Sequence, residues 1–330
     1  MQQLKTETEI LPPPPGIISS LKNGFDIIAT HITAILLPLA IDLLLWLGPH
    51  LSIDQVAQPV LKEFSNMAAS GGINQSNIND MLNLNNQFFQ QFNVLGILRT
   101  FPIGVFSLMS AKMPTLSPLG GPSIVQIDSL DHLVGLVFLL TLSGWLLGSL
   151  YFRWVAALVT PELLPPPGRA IFQTFLFSVI WSLLAWIFGL PLLLVLYLFF
   201  AISPVLGDVV LLILGFLSMW LIVPIFFSPH GMFVKKQNAF ASILSSFRMT
   251  RFTLPTSSLF VLTVVMIGIG LNFLWSVPAD DSWLSLVGIL GHAFITTALL
   301  ASSFAYYRDM NAWLQTVLER LKARVPTQQV

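Results

Sequence analysis

Asp42, Asn272 and His292 carry the chemistry that most needs explaining, because each stands inside a run of apolar residues. An acid at membrane depth costs about 2.5–3.5 kcal/mol unless it is neutralised, paired or hydrated. Asp42 is therefore either a site for ion coupling or polar-ligand binding, or a structural partner reached by a neighbouring group or by water. His292, with Thr296 one turn on and Ser303 further along that face, forms a polar stripe suited to hydrogen bonding with another helix or to proton relay. In a six-span topology Asp42, Asn272 and His292 all fall in the outer half of the bilayer and could converge on one polar site. His31 precedes Asp42 by eleven residues, about three turns of a continuous helix, so the two share a face about 16 Å apart.

A second group is basic. Lys235, Lys236, Arg248 and Arg251 surround Phe240, Ile243, Leu244 and Phe247, which follow the i, i+3, i+4, i+7 spacing of one helical face. That pattern predicts a cytoplasmic amphipathic helix at headgroup level, where each basic residue contributes about 1 kcal/mol against anionic lipid. The alternative is an ordinary connecting helix. Residues 311–330 read as a further cytoplasmic helix, with Trp313, Val317 and Leu321 recurring at i, i+4 and i+8.

Other chemistry is absent from the sequence. With no cysteine there are no disulfides, thiolate nucleophiles or Cys-based metal sites. The five histidines, at 31, 50, 132, 230 and 292, lack metal-ligand spacing. No phosphate-binding glycine loop, HExxH or GxSxG motif occurs. No catalytic, cofactor-binding or metal-binding residue is assigned, and nucleic acid is not an expected partner.

The elements that must position these residues follow from where charge is missing. Residues 132–152, 170–207, 209–234, 252–279 and 282–307 contain no Lys, Arg, Asp or Glu, and a helix crosses a bilayer with about 20 apolar residues. The chain is 55% hydrophobic and 9% charged, with a mean hydropathy of +0.81, far from a soluble domain. The expected fold is an all-α integral membrane protein, a bundle of six spans at about 27–47, 133–159, 171–201, 209–227, 257–275 and 283–306.

Positive-inside bias supports six spans. Lys5, Lys22, Arg153, Arg169, Lys235, Lys236, Arg248, Arg251, Arg308, Arg320, Lys322 and Arg324 then lie inside. Only Lys62, Arg99 and Lys112 fall outside, while the short outer connections carry Asp208 and Asp280-Asp281. A seventh span broken at Gly189-Leu190-Pro191 would export Lys235 to Arg251, so 171–201 is read as one helix kinked at Pro191. Both termini are then cytoplasmic. Residues 1–23 read as an uncleaved Pro-rich tail, since Pro12 to Pro15 favour polyproline II and no apolar core follows the start.

The outer loop, 51–131, is rich in Asn, Gln, Ser and Gly. Phe88, Phe89, Phe92 and Leu95 share one helical face that should lie against the membrane or the bundle. The stretch 95–109, interrupted by Arg99 and Pro102, reads as interfacial or re-entrant. Gly144 and Gly148 form a GxxxG, and Gly291, Ala298, Ser302 and Ala305 recur on the sixth span, so close helix contacts within the chain are expected there.

The six-span order, LLPLAIDLLLWLGPHLS near the start, KKQNAFASILSSFRMTRFTLP before the fifth span and HAFITTALLASSFAYYRDM in the sixth resemble the bacterial membrane-domain family associated with glycerophosphoryl diester phosphodiesterases. The resemblance spans most of residues 24–310. In that family the membrane domain accompanies a soluble catalytic domain; this sequence shows none, so the resemblance implies the membrane architecture without phosphodiesterase activity. The expected function is a non-enzymatic component of a prokaryotic cytoplasmic membrane that binds lipid, a partner protein or a second copy of itself. The alternative is a small transporter using Asp42, Asn272 and His292, which would need a hydrated cavity reaching both faces, where a scaffold would show a sealed bundle and an exposed docking surface. An enzyme acting on lipid headgroups is a third reading.

Overall fold

The structure is a computed structural model that describes residues 12–72 and 74–324. It begins with α1 (Ile17–Thr30), a 3-10 turn (Ile32–Ile35) and α2 (Leu36–Leu47). A loop region follows: β1 (His50–Ser52), α3 (Asp54–Ser70), α4 (Gln75–Gln91), a second 3-10 turn (Val94–Leu98), α5 (Met109–Lys112) and β2 (Ile124–Gln126). The rest is helical: α6 (Leu130–Val159), α7 (Pro167–Leu184), α8 (Leu190–Ile202), α9 (Pro204–Phe227), α10 (His230–Val234), α11 (Ala239–Trp275) and α12 (Ser285–Arg324). Extended strand among the described residues is confined to the parallel pair β1–β2, so the chain is all-α as expected. Among the described residues four helices are long and apolar enough to cross a membrane, and two bent pairs raise the number to as many as six.

The first expected span, 27–47, is not one helix. The chain bends by 94° between α1 and α2. Helix α1 stops at Thr30 because His31 leaves helical geometry (φ −126°, ψ 56°) and its Nδ1 and backbone N both bond the Ile27 carbonyl. Pro38, in the first turn of α2, has no N–H to extend that helix backward. Helix α1 starts at Ile17, six residues before the end of the expected 1–23 tail, and runs along α12. Gly24 sits against Ser302, and the Ser302 hydroxyl donates to the Leu21 carbonyl. The Trp313 indole donates to the Pro12 carbonyl (2.7 Å), which brings both described chain ends to the same end of the bundle, here called the tail end. The opposite end carries residues 48–129 and is called the loop end. Residues 1–11 and 325–330, including Lys5, lie outside the described residues.

Helices α7 and α8 form one continuous 36-residue run, as expected for 171–201, and the irregularity falls just before Pro191 as a π-type turn at Ala185–Gly189. Pro191 cannot donate to the Ile187 carbonyl, and the wider turn absorbs that loss. Helix α9 begins at Pro204, so Asp208 lies inside it and not in a connection. No residue of α8 is buried, and among the described side chains α9 buries only those near its end, at Val223, Pro224 and Phe227. The α8–α9 hairpin is thus an apolar arm with exposed Leu193, Tyr197, Leu212 and Phe216.

The expected separate amphipathic helix is continuous with the fifth span. Helix α11 covers 37 residues with a kink at Thr253 (φ −122°, ψ 16°), two residues before Pro255. Likewise the expected C-terminal helix is the continuation of α12, whose 40 residues extend about 60 Å. The core lies where α1, α6, α9, α10 and α11 meet α12. There Phe260 stacks on Tyr306 (ring centroids 4.0 Å), and Phe227, Phe233 and Phe304 are fully buried.

At the loop end α3 packs on α4. Helix α4 stops at Gln91, so Leu95 is not on its Phe face: Phe92 turns extended and the Asn93 side chain caps the next turn at Leu95 N. Phe88 and Phe92 still stack, at 5.5 Å between ring centroids. The segment 95–109 enters the bundle. Its backbone at Leu98 and Gly104 lies against Gly144 and Gly148, which are fourteen and eighteen residues into α6, about 21 and 27 Å from its start. The GxxxG therefore receives a re-entrant loop and not a second helix.

Candidate functional site

Asp42 is the only carboxylate among the described residues with no exposed surface. It sits on α2 facing the returning limb of the re-entrant loop. Its Oδ1 accepts from the Ser107 hydroxyl (2.6 Å) and the Met109 amide (2.9 Å), and its Oδ2 accepts from the Leu108 amide (3.2 Å). These are the orphan donors at the start of α5, so Asp42 acts as a cap delivered from another element. The Ser107 hydroxyl in turn accepts from Ser110 N, and the Ser110 hydroxyl donates to the Gly96 carbonyl, which ties the two limbs of the loop together. Helix α5 is fixed at its other end by Lys112. That side chain pairs with Asp280 (2.6 Å) and donates to the Pro278 carbonyl, while the Trp46 indole donates to the Asp280 carbonyl. A cavity of about 110 Å³ beside α5 is lined by Leu45, Phe92, Asn93, Ile97, Met109 and Ser110, among others, and the side chains of Asn93 and Ser110 are already engaged.

His292 is buried on α12, and its Nε2 has no hydrogen-bond partner among the described residues. Arg99, just after the second 3-10 turn, is exposed. Asn272 is half-buried on α11 and makes no side-chain hydrogen bond with Asp42 or His292 among the described residues. One turn on from it, Trp275 packs its ring over Gly291, on the small-residue face of α12. The expected trio is thus resolved into a loop cap, an unpaired imidazole and a half-buried amide. His31 does not share a helical face with Asp42, because the break at His31 separates them.

The four basic residues also divide. Lys235 turns inward: its Nζ donates to Asn311 Oδ1 and lies 5.7 Å from the centre of the Tyr307 ring, and burial pushes its ammonium below the ordinary lysine value. It makes an internal link from the end of α10 to α12. Lys236, Arg248 and Arg251 are exposed, beside exposed Phe240, Leu244 and Phe247. The apolar face of this part of α11 therefore looks outward.

Its inward face is a ladder of hydroxyls that the sequence reading missed. Ser242, Ser246, Thr250, Thr253 and Ser257 are buried. The Ser242 and Ser246 hydroxyls donate to the Ser228 and Pro224 carbonyls (2.6 Å each), which are orphaned where α9 ends. Ser257 meets Tyr306, and beside the ladder His230 Nε2 bonds Ser303 at 2.7 Å within a nest of Phe226, Phe227, Phe304 and Tyr307. The signal was present as small polar residues at helical spacing, which packs helices closely in membranes. In comparisons with known proteins, no family model, no curated protein and no solved structure matches this chain.

Proposed function

We propose that the protein is a non-enzymatic component of a prokaryotic cytoplasmic membrane, crossing it six times and binding membrane lipid or a partner protein. The observation that carries this reading is the use of Asp42: its carboxylate is fully buried and accepts three hydrogen bonds from the loop it caps. A group so engaged serves closure of the bundle. The apolar surface that remains exposed, on the α8–α9 arm and on the outward face of α11, is surface for lipid or for another protein. The resemblance of residues 24–310 to the phosphodiesterase-associated membrane domain agrees with this role. Six crossings require both chain ends on one side, in keeping with the Pro12–Trp313 contact, and the tail end carries Arg153, Arg169, Lys236, Arg248, Arg251 and Arg308, as a cytoplasmic face would.

The buried His292, whose Nε2 has no partner among the described residues, supports a second reading, a polar site for a transported solute. Native mass spectrometry of the full chain released from nanodiscs, beside flux assays in proteoliposomes, separates the two. Retained lipid or a stoichiometric protein subunit is the expected result. Solute flux that disappears in His292→Ala, with no retained lipid or subunit, would sink the membrane-component reading in favour of transport.

A further inference from the structure

A groove follows the junction of α6 and α7 on the outside of the bundle. Leu142, Trp145 and Leu146 form one wall, Phe172 and Phe175 the other, and Gly168 the foot; the cavity measures about 370 Å³. All its lining side chains are apolar. Trp145 and Phe175 meet edge-on (5.5 Å, 79°), so rings hold the helices apart where small residues would let them close. Phe172 is 61% exposed, which leaves the mouth facing the surroundings. No atom lies within 4 Å of the point where a side chain on Gly168 would begin, so the foot is open too.

Two cations stand close to the foot along the chain. Arg153 is seven residues beyond Leu146, two turns along the same face of α6, and its Nε donates to the Pro165 carbonyl (2.9 Å) in the connection that leads into α7. Arg169 follows Gly168 and donates to the Lys236 carbonyl (2.7 Å). Neither guanidinium forms an ion pair among the described residues; Glu162, in the same connection, is exposed and reaches neither. From Leu142 to Arg153 the helix rises about 16 Å, the depth of one leaflet of a roughly 30 Å hydrocarbon core. The apolar lining spans about 6 Å of α6 (Leu142 to Leu146) and about 10 Å of α7 (Gly168 to Phe175), and with two arginines that form no ion pair toward its tail end it suits an acyl chain below an anionic head.

We propose that this groove holds an acyl chain of an anionic glycerophospholipid from the leaflet at the tail end, with the lipid phosphate between Arg153 and Arg169. This deepens the lipid-binding reading above and rests on it. The test is native mass spectrometry of the full chain from nanodiscs containing equal phosphatidylglycerol and phosphatidylcholine. The wild-type protein is expected to retain one phosphatidylglycerol selectively. Gly168→Leu, which adds bulk where a Cβ has open space, is expected to lower that retention about tenfold, and Arg153→Gln with Arg169→Gln to remove the preference for phosphatidylglycerol by a similar factor. Melting temperatures in detergent establish that each variant is folded. Selective retention that persists in both variants overturns this site while leaving lipid binding elsewhere intact. No selective lipid on the wild-type protein overturns the site, and absence of any retained lipid or subunit overturns the broader reading with it.

Discussion

Asp42 and Ser107 are sixty-five residues apart in the chain and joined by a 2.6 Å hydrogen bond in a place with no exposed surface. The bond fastens a loop that enters the bundle from one end to the helix that leads up to it. Backbone amides of Leu108 and Met109 complete the set, so one carboxylate satisfies three donors that hydrocarbon would leave unpaired. The carboxylate of Asp42 is thereby committed to holding a loop.

Asp42→Asn keeps the volume but offers a single acceptor oxygen, leaving at least one of these donors unpaired. The expected loss is about 1–3 kcal/mol of stability. It should appear as a lower melting temperature in detergent and faster hydrogen exchange at Leu108 and Met109. Unchanged values for both would show that the cap contributes nothing.

At Gly148 the loop backbone presses directly on α6, since a Cβ there would lie 2.7 Å from Gly104 Cα. Gly148→Ala should therefore displace the loop and destabilise by about 1–3 kcal/mol. Gly135, on the same helix, has no neighbour within 4 Å, and Gly135→Ala should be neutral or stabilising by up to about 1 kcal/mol. Parallel thermal melts of the two variants check the contrast, and equal shifts would contradict the re-entrant packing.

The α8–α9 arm is apolar apart from Asp208 near the start of α9, with Leu212 74% exposed. Immersed in hydrocarbon, Leu212→Arg should cost about 2.5–3.5 kcal/mol of insertion free energy, and the variant should be depleted from the membrane fraction. Full-length protein at wild-type abundance in that fraction, with an unchanged protease pattern, would mean that the arm meets water or another protein.

His50 lies at the start of β1, outside the spanning helices. Burial holds its imidazole below the ordinary value of 6.5, and its Nε2 lacks a partner among the described residues. An unfolded chain takes up this proton near pH 6.5, whereas the folded chain resists until lower pH. Stability contributed at neutral pH is thus lost as pH falls through that window, and the loss levels off below the folded value. The melting temperature of the wild type should drop more between pH 7 and pH 5 than that of His50→Gln. An identical pH dependence in the two proteins would remove His50 from the account.

What the sequence determined by itself is the solvent and the scale of the elements. Long charge-free runs specify apolar helices, because hydrocarbon forces every backbone group to be satisfied within the segment. That reasoning carried through for α6, for the unbroken run of α7 and α8 across Pro191, and for the small-residue face of α12. Hydropathy could not reveal the turn at His31, since an apolar run reads the same whether straight or bent by 94°, and the bend depends on a side chain competing for the Ile27 carbonyl. Nor could it tell which face of α11 looks inward. In lipid, apolar Phe240 and Leu244 gain nothing by burial, while Ser242 and Ser246 gain hydrogen bonds to the orphaned carbonyls of α9. The partner of Asp42 was likewise beyond reach, because a carboxylate at membrane depth announces that something must satisfy it but not what. Only the tertiary structure brings Ser107, Leu108 and Met109 to it, and with them decides that the first apolar segment, the GxxxG and the loop between them are one construction.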